Sequence, residues 1–141
     1  MKEAIGSVPL YNFIIIFIVI TFGFLSATLM YFKAFKLNSK IAYALEEFEG
    51  YNSESAKEIN RVLDGLGYRT TGNASCSKRD NMTKVTISDV NYPICIYESK
   101  LKDGYFNYGI TTYIYLDIPV LGGTFKVPVY SESERIFKFS K

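Results

Sequence analysis

Charged and uncharged positions divide this chain sharply. Leu10 to Phe32 is a run of 23 residues without a charge, and fourteen of them are Leu, Ile, Val or Phe. At ~1.5 Å per residue a helix over that run spans ~35 Å, enough for the hydrocarbon core of a bilayer. The apolar residues, worth ~−0.3 to −0.6 kcal/mol each on insertion, outweigh Asn12, Thr21, Ser26 and Thr28. Tyr11 and Tyr31 lie near the two ends, where amphipathic rings favour the interface. A buried core helix would need a larger protein around it. The expectation is a transmembrane helix over 10–32, with a short flank over 1–9. Pro9 suits a first helical turn, where its missing N–H costs nothing. The run is longer than a signal-peptide core, one Lys precedes it, and Leu25-Ser26-Ala27 is a poor cleavage site, so the segment is expected to be retained.

The helical period does not stop at the end of the apolar run. Phe35, Leu37, Ile41, Leu45 and Phe48 continue a stripe, with Ala34, Ala42 and Ala44 as strong helix formers. Lys33, Lys36, Lys40, Glu46, Glu47 and Glu49 take the polar positions. The spacing predicts an amphipathic extension over 33–50, stopped at Gly50. The whole helix would be about 40 residues, half in lipid and half beyond it.

A small α+β domain over 51–141 follows. Ala56, Ile59, Val62, Leu63 and Leu66 recur at helical spacing, with Ser53 or Ser55 as the cap and Glu58 completing a capping box from Ser55. Gly65 and Gly67 end that helix. Residues 71–81 read as a polar loop. Short strands are expected at Lys84–Ser88, through Val85 and Ile87, and at Ile94–Tyr97, with a turn over 99–104. Tyr105–Ile118 is the clearest strand. Ile110, Thr112, Ile114, Leu116 and Ile118 alternate with Thr111, Tyr113, Tyr115 and Asp117. Pro119-Val-Leu-Gly-Gly makes the turn, and Thr124–Phe137 returns as a hairpin strand. The expected fold is therefore α+β: a long transmembrane helix extending into a small antiparallel sheet whose apolar face packs on the protruding helix.

Composition narrows the chemistry. The chain has no His, which removes His-dependent triads and every His-based metal site. Its carboxylates show no paired acid/base spacing, so no catalytic residue, metal or cofactor is expected. Net charge is +2 with no basic block, which argues against nucleic acid. Cys76 and Cys95 are either a disulfide, if the domain faces an oxidising compartment, or two buried thiols; the disulfide is the expectation. Gly23 and Ala27 share a helix face and form a small-xxx-small pair suited to a partner helix in the bilayer. Tyr113 and Tyr115 belong to an aromatic-rich set on the outer sheet face, read either as ordinary strand tyrosines or as a contact surface for a ligand or partner.

The layout resembles the pilin-like proteins of bacterial Tad-type (type IV-related) pilus and secretion systems, the TadE-like group in particular. Three parts carry the resemblance: the Gly6-Ser7-Val8-Pro9 lead into the span, the helix continuing through Lys40–Glu49, and the closing hairpin Thr111–Glu134. The resemblance implies a structural or assembly subunit that contacts the bilayer and other pilin-like subunits or membrane assembly proteins. Type IV-like subunits carry a cleavage-site Gly with a Glu five residues on. Counting from Gly6, that position is Tyr11, so an unprocessed accessory subunit fits better than a processed major one. The resemblance and the paired cysteines both imply an extracytoplasmic domain. Lys33, Lys36 and Lys40 oppose this under the positive-inside rule, and a cytoplasmic-facing subunit is the reading they favour. The remaining alternative is a membrane-tethered binding module that reads a ligand or envelope component with its aromatic sheet face.

Overall fold

The computed structural model describes residues 2–68, 76–85, 93–118 and 123–138. Helix α1 runs unbroken from Lys2 to Glu47, 46 residues or ~69 Å. It begins earlier than the apolar run suggests and carries Pro9 inside rather than in its first turn. The missing donor removes one backbone hydrogen bond, which helix geometry on either side survives. The hydroxyls of Thr21 and Thr28 donate to Phe17 O and Phe24 O, both at 2.8 Å, so these polar residues are satisfied within the helix.

The two halves of α1 face different surroundings. From Gly6 to Lys33 nearly every residue is exposed, with Ala27 and Thr28 half-buried. The apolar window that qualifies as a membrane span has no buried residue. From Ala34 onward the stripe Ala34, Leu37, Asn38, Ile41, Ala42, Leu45 is buried at helical spacing. The chain reverses through a Schellman-type turn. Gly50 N–H donates to Leu45 O at 2.7 Å and Glu49 N–H to Glu46 O at 3.3 Å. Glu49 takes the left-handed position (φ 54°), one residue before the predicted stop. Gly50 follows at φ 122°, and a Cβ there would stand 2.6 Å from Tyr108 Oη.

Helix α2 spans Ser53–Gly65. Its cap is Asn52, not Ser53 or Ser55. Asn52 Oδ1 accepts from Glu54 N and Ser55 N, and Ser55 Oγ accepts from Asn52 N. Ser55 is thus the third residue of its own capping box, and Glu58 instead pairs with Arg61 at 2.9 Å. Asn52 wins because its extended backbone (φ −143°, ψ −179°) aims its side chain at the open amides. Its Nδ2 also donates to Phe48 O, closing the end of α1 with the same side chain.

The sheet is five-stranded and antiparallel: β1 (Thr83–Lys84), β2 (Cys95–Lys100), β3 (Tyr105–Ile118), β4 (Gly123–Glu132) and β5 (Ile136–Phe137). The order is β1-β2-β3-β4, with β5 pairing the start of β3. The β3–β4 hairpin runs in register from Gly109↔Glu132 to Ile118↔Gly123. The clearest predicted strand matches β3 at both ends. The predicted return strand divides into β4 and β5, and the predicted turn over 99–104 gives way to a longer β2 and a 3-10 turn at Lys102–Gly104. Ile87, much of the 71–81 loop and the Pro119–Gly122 turn lie outside the described residues.

Leu37, Ile41 and Leu45 of α1, Ala56, Ile59 and Leu63 of α2, and Ile94, Ile96 and Ile110 of the sheet form one core. Each large side chain contributes about 1.5–3 kcal/mol by burial. Within this apolar contact Asn38 is fully buried, and both ends of its amide are hydrogen-bonded. Its Nδ2 donates to Val129 O at 3.1 Å, and its Oδ1 accepts from Thr112 Oγ1 at 2.8 Å. Thr112 and Val129 are cross-strand partners, so one amide fixes α1 to the hairpin at a single register.

Asn38→Ala strands the buried Thr112 hydroxyl. It is expected to lower unfolding free energy by about 2 kcal/mol in detergent-solubilised protein. Asn38→Leu combined with Thr112→Val removes the stranded hydroxyl, leaving only the Val129 carbonyl without its side-chain donor, and is expected to recover part of that loss; additive losses in denaturant titrations would contradict the pairing.

Candidate functional surfaces

The first surface is the exposed half of α1. Gly23, Ala27 and Ala34 fall on one face, because steps of four and seven residues nearly complete whole turns. The small-xxx-small pair therefore continues the stripe that packs on the sheet. Nothing lies within 4 Å of a Cβ built at Gly23, so a neighbouring helix has room there. Ala27 is half-buried. The lysines Lys33, Lys36 and Lys40 are exposed just beyond. Between α1 and the sheet a cavity of about 240 Å³ opens at this end, lined among others by Met30, Ala34, Leu66 and Ile114.

The second surface is the sheet face turned away from α1, and here the sequence expectation needs correction. Tyr113 is only 7% exposed and Tyr115 is half-buried. Tyr113 packs with Cys95 and Tyr97, against partly buried Cys76, Met82 and Tyr115. The cause is the segment 76–85, which folds across this face and is tied down by the Cys76–Cys95 disulfide. Such a bond, closing a loop of 19 residues, is worth ~3 kcal/mol in the chain-entropy treatment. Arg79 completes the cover: its guanidinium lies 3.6 Å from the Tyr130 ring centroid and 5.9 Å from that of Tyr97. Tyr97 Oη donates to Ser77 O at 2.8 Å. Gly109 lets Tyr130 lie flat on the strand, since a Cβ there would be 2.5 Å from Tyr130 Oη. Burial and the bond to Glu132 push the Tyr130 hydroxyl up to about 12. The aromatic set is therefore largely an internal joint between sheet and loop.

A third cluster lies at the far end of the helix–sheet contact. Glu98 Oε2 accepts from Lys138 Nζ and from Tyr108 Oη, both at 2.6 Å. Tyr108 Oη in turn accepts from Tyr51 N–H at 3.2 Å. Glu46 Oε1 accepts from Glu134 N–H at 2.9 Å, joining the end of α1 to the segment between β4 and β5. Burial alone raises the Glu98 carboxyl, but the bonds from Lys138 and Tyr108 outweigh it and hold the group below the usual carboxylate range. Burial works against the Lys138 charge, and Glu98 reverses that and pushes the ammonium up. The mutual direction marks a structural ion pair. Elsewhere, burial raises the Tyr68 hydroxyl to about 12. It accepts from Tyr113 N–H at 2.9 Å and fixes the third residue after α2 to the flank of β3.

Sequence reasoning singled out Gly23, Ala27, Cys76, Cys95, Tyr113 and Tyr115. The structure bonds the two cysteines, keeps Gly23 open, and buries Tyr113. Asn38, Glu98, Lys138 and Arg79 were missed. Asn38 alone left a signal, as a polar residue at a stripe position. Among the described residues no group of three or more Cys, Asp or Glu side chains converges as metal ligands would.

These surfaces define a single-pass, membrane-anchored α+β module, its anchor and its domain sharing one helix. Comparison with protein-family models, curated proteins and solved structures gives no match for the chain.

The folded-state pKa of Glu98 lies below its unfolded value of ~4.3, so its stabilisation is complete above about pH 5 and is lost as pH falls through the folded value. Glu98→Gln is expected to lower stability at neutral pH and to flatten the decline between about pH 5 and 3. Parallel melting curves for the two proteins across that range would contradict the pairing.

Proposed function

We propose that this chain is a non-enzymatic accessory subunit of a Tad-like pilus or secretion machine, anchored by α1 and carrying its α+β domain on the extracytoplasmic side. One observation supports this best: α1 continues from its exposed apolar half into the domain core without a break, so one helix is both anchor and core element. A subunit of this shape works by packing. Its neighbours would be pilin-like subunits or membrane assembly proteins, met in the bilayer at Gly23 and beside Ala27. The Cys76–Cys95 disulfide favours an oxidising side for the domain. The competing binding-module reading is weakened by the burial of Tyr113 beneath the disulfide loop.

The test is site-specific photo-cross-linking in native membranes. A benzophenone maleimide attached to Gly23→Cys is expected to capture a neighbouring small single-span protein or a second copy, whereas the same probe on Phe17→Cys, on another face, is not. Cell shearing followed by blotting fixes the assembly type. Full-length chain retained in the membrane is expected, and a shortened chain in the sheared fraction would contradict the accessory role. Equal cross-linking at both positions, or at neither, would remove the case for specific packing at Gly23.

A further inference from the structure

The helix face of the β3–β4 hairpin is covered unevenly. Val129 and Ile114 are 6% and 7% exposed, packed against Ala34. The next residues on the same face of β4, Val127 and Phe125, are 42% and 49% exposed. They lie toward the hairpin's closing end, where the helix face of the sheet is only partly covered.

The direction of that end follows from the register. Asn38 is bonded to Thr112 and Val129, and Ala34, four residues nearer the apolar half of α1, meets Ile114 and Val129. The hairpin therefore runs back along α1 toward the apolar segment. Phe125 is four residues beyond Val129, ~13 Å along a strand. That distance is ~9 residues of helix, and Val129 meets α1 at Ala34 and Asn38, which brings Phe125 about level with the Leu25–Leu29 turn of α1. The closing pair Ile118↔Gly123 lies ~7 Å further on. Ala27 and Thr28 are half-buried in an otherwise exposed stretch, as a hairpin alongside requires. A hydrocarbon core of ~30 Å takes about 20 helical residues, which counted from Leu10 ends near Leu29. Phe125 and the lipid boundary coincide.

We infer that the stretch of β4 bearing Phe125 and Val127 is a second membrane contact, seated in the bilayer interface beside α1 with these two side chains toward the acyl chains. The occupant is lipid because this apolar surface is continuous with the lipid-facing surface of α1. Exposed Lys33 and Lys36 stand at the level of the headgroups, where anionic lipid complements them. Two contacts instead of one fix the tilt and height of the domain on the membrane, which a lone span leaves free. This inference rests on the membrane anchor, not on the identity of the machine.

The chain contains no Trp, so single substitutions make unambiguous reporters. Full-length protein is reconstituted into 3:1 phosphatidylcholine:phosphatidylglycerol vesicles as Phe125→Trp, with Phe17→Trp as the mid-span control and Tyr43→Trp as the aqueous control. Phe125→Trp is expected to emit to the blue of Tyr43→Trp and to be quenched by brominated acyl chains roughly twofold more strongly. Val127→Trp repeats the measurement at the neighbouring exposed position. Lipid quenching at position 17 with none at 125 or 127 would overturn the hairpin contact and leave the anchor intact. Absence at all three would overturn the anchor itself. Blue-shifted emission from Phe125→Trp that brominated lipid does not quench would assign the surface to a protein partner and overturn the lipid contact.

Discussion

One helix has to satisfy two solvents. The residues of α1 from Leu10 to Phe32 offer mostly apolar side chains all round, as lipid demands, and those from Ala34 onward offer only a stripe. The sheet and α2 together cover that stripe. Everything downstream is placed by this contact: α2 fills the wedge beside Leu37 and Ile41, and β3 lies along the stripe with β4 at its flank. Apolar packing alone would tolerate sliding by a turn. The Asn38 amide, held by Thr112 Oγ1 and Val129 O, does not, because a shifted register would leave three polar groups buried without partners.

The two ends of the contact are secured differently. At the end far from the membrane, Glu98 collects Lys138 and Tyr108 while Gly50 keeps the α1–α2 turn close enough for Tyr51 N–H to reach Tyr108 Oη. On the opposite face of the sheet, the disulfide and Arg79 hold the 76–85 segment over the tyrosines. A small domain with one modest core gains rigidity from such ties, since burial barely exceeds conformational entropy at this size. Toward the membrane the hairpin carries exposed apolar side chains instead.

Much of this was legible in the sequence because the dominant signals are periodic. Continuation of the helical stripe through Leu37, Ile41 and Leu45 located the helix–sheet contact, and the alternation from Ile110 to Ile114 located the strand that meets it. Non-periodic features escaped. The Asn52 cap depends on an extended backbone at one residue, and Glu49 occupies a left-handed position that composition assigns to the following glycine. The burial of Tyr113 depends on where a distant loop crosses the sheet, which no local pattern encodes. Likewise Glu98 and Lys138 stand 40 residues apart, and only the fold brings them together.

One unbroken helix is thus lipid-facing in one half and protein-covered in the other. Spin labels on cysteines introduced at Phe13, Phe17, Phe24, Phe35 and Tyr43, all exposed, measure this directly in vesicles by the balance of oxygen against water-soluble nickel relaxation. Oxygen should dominate at 13, 17 and 24, and nickel at 35 and 43, with a single crossover between. Nickel access throughout 13–24 would contradict the membrane-spanning half. A second crossover within 35–43 would contradict the continuous helix emerging from it.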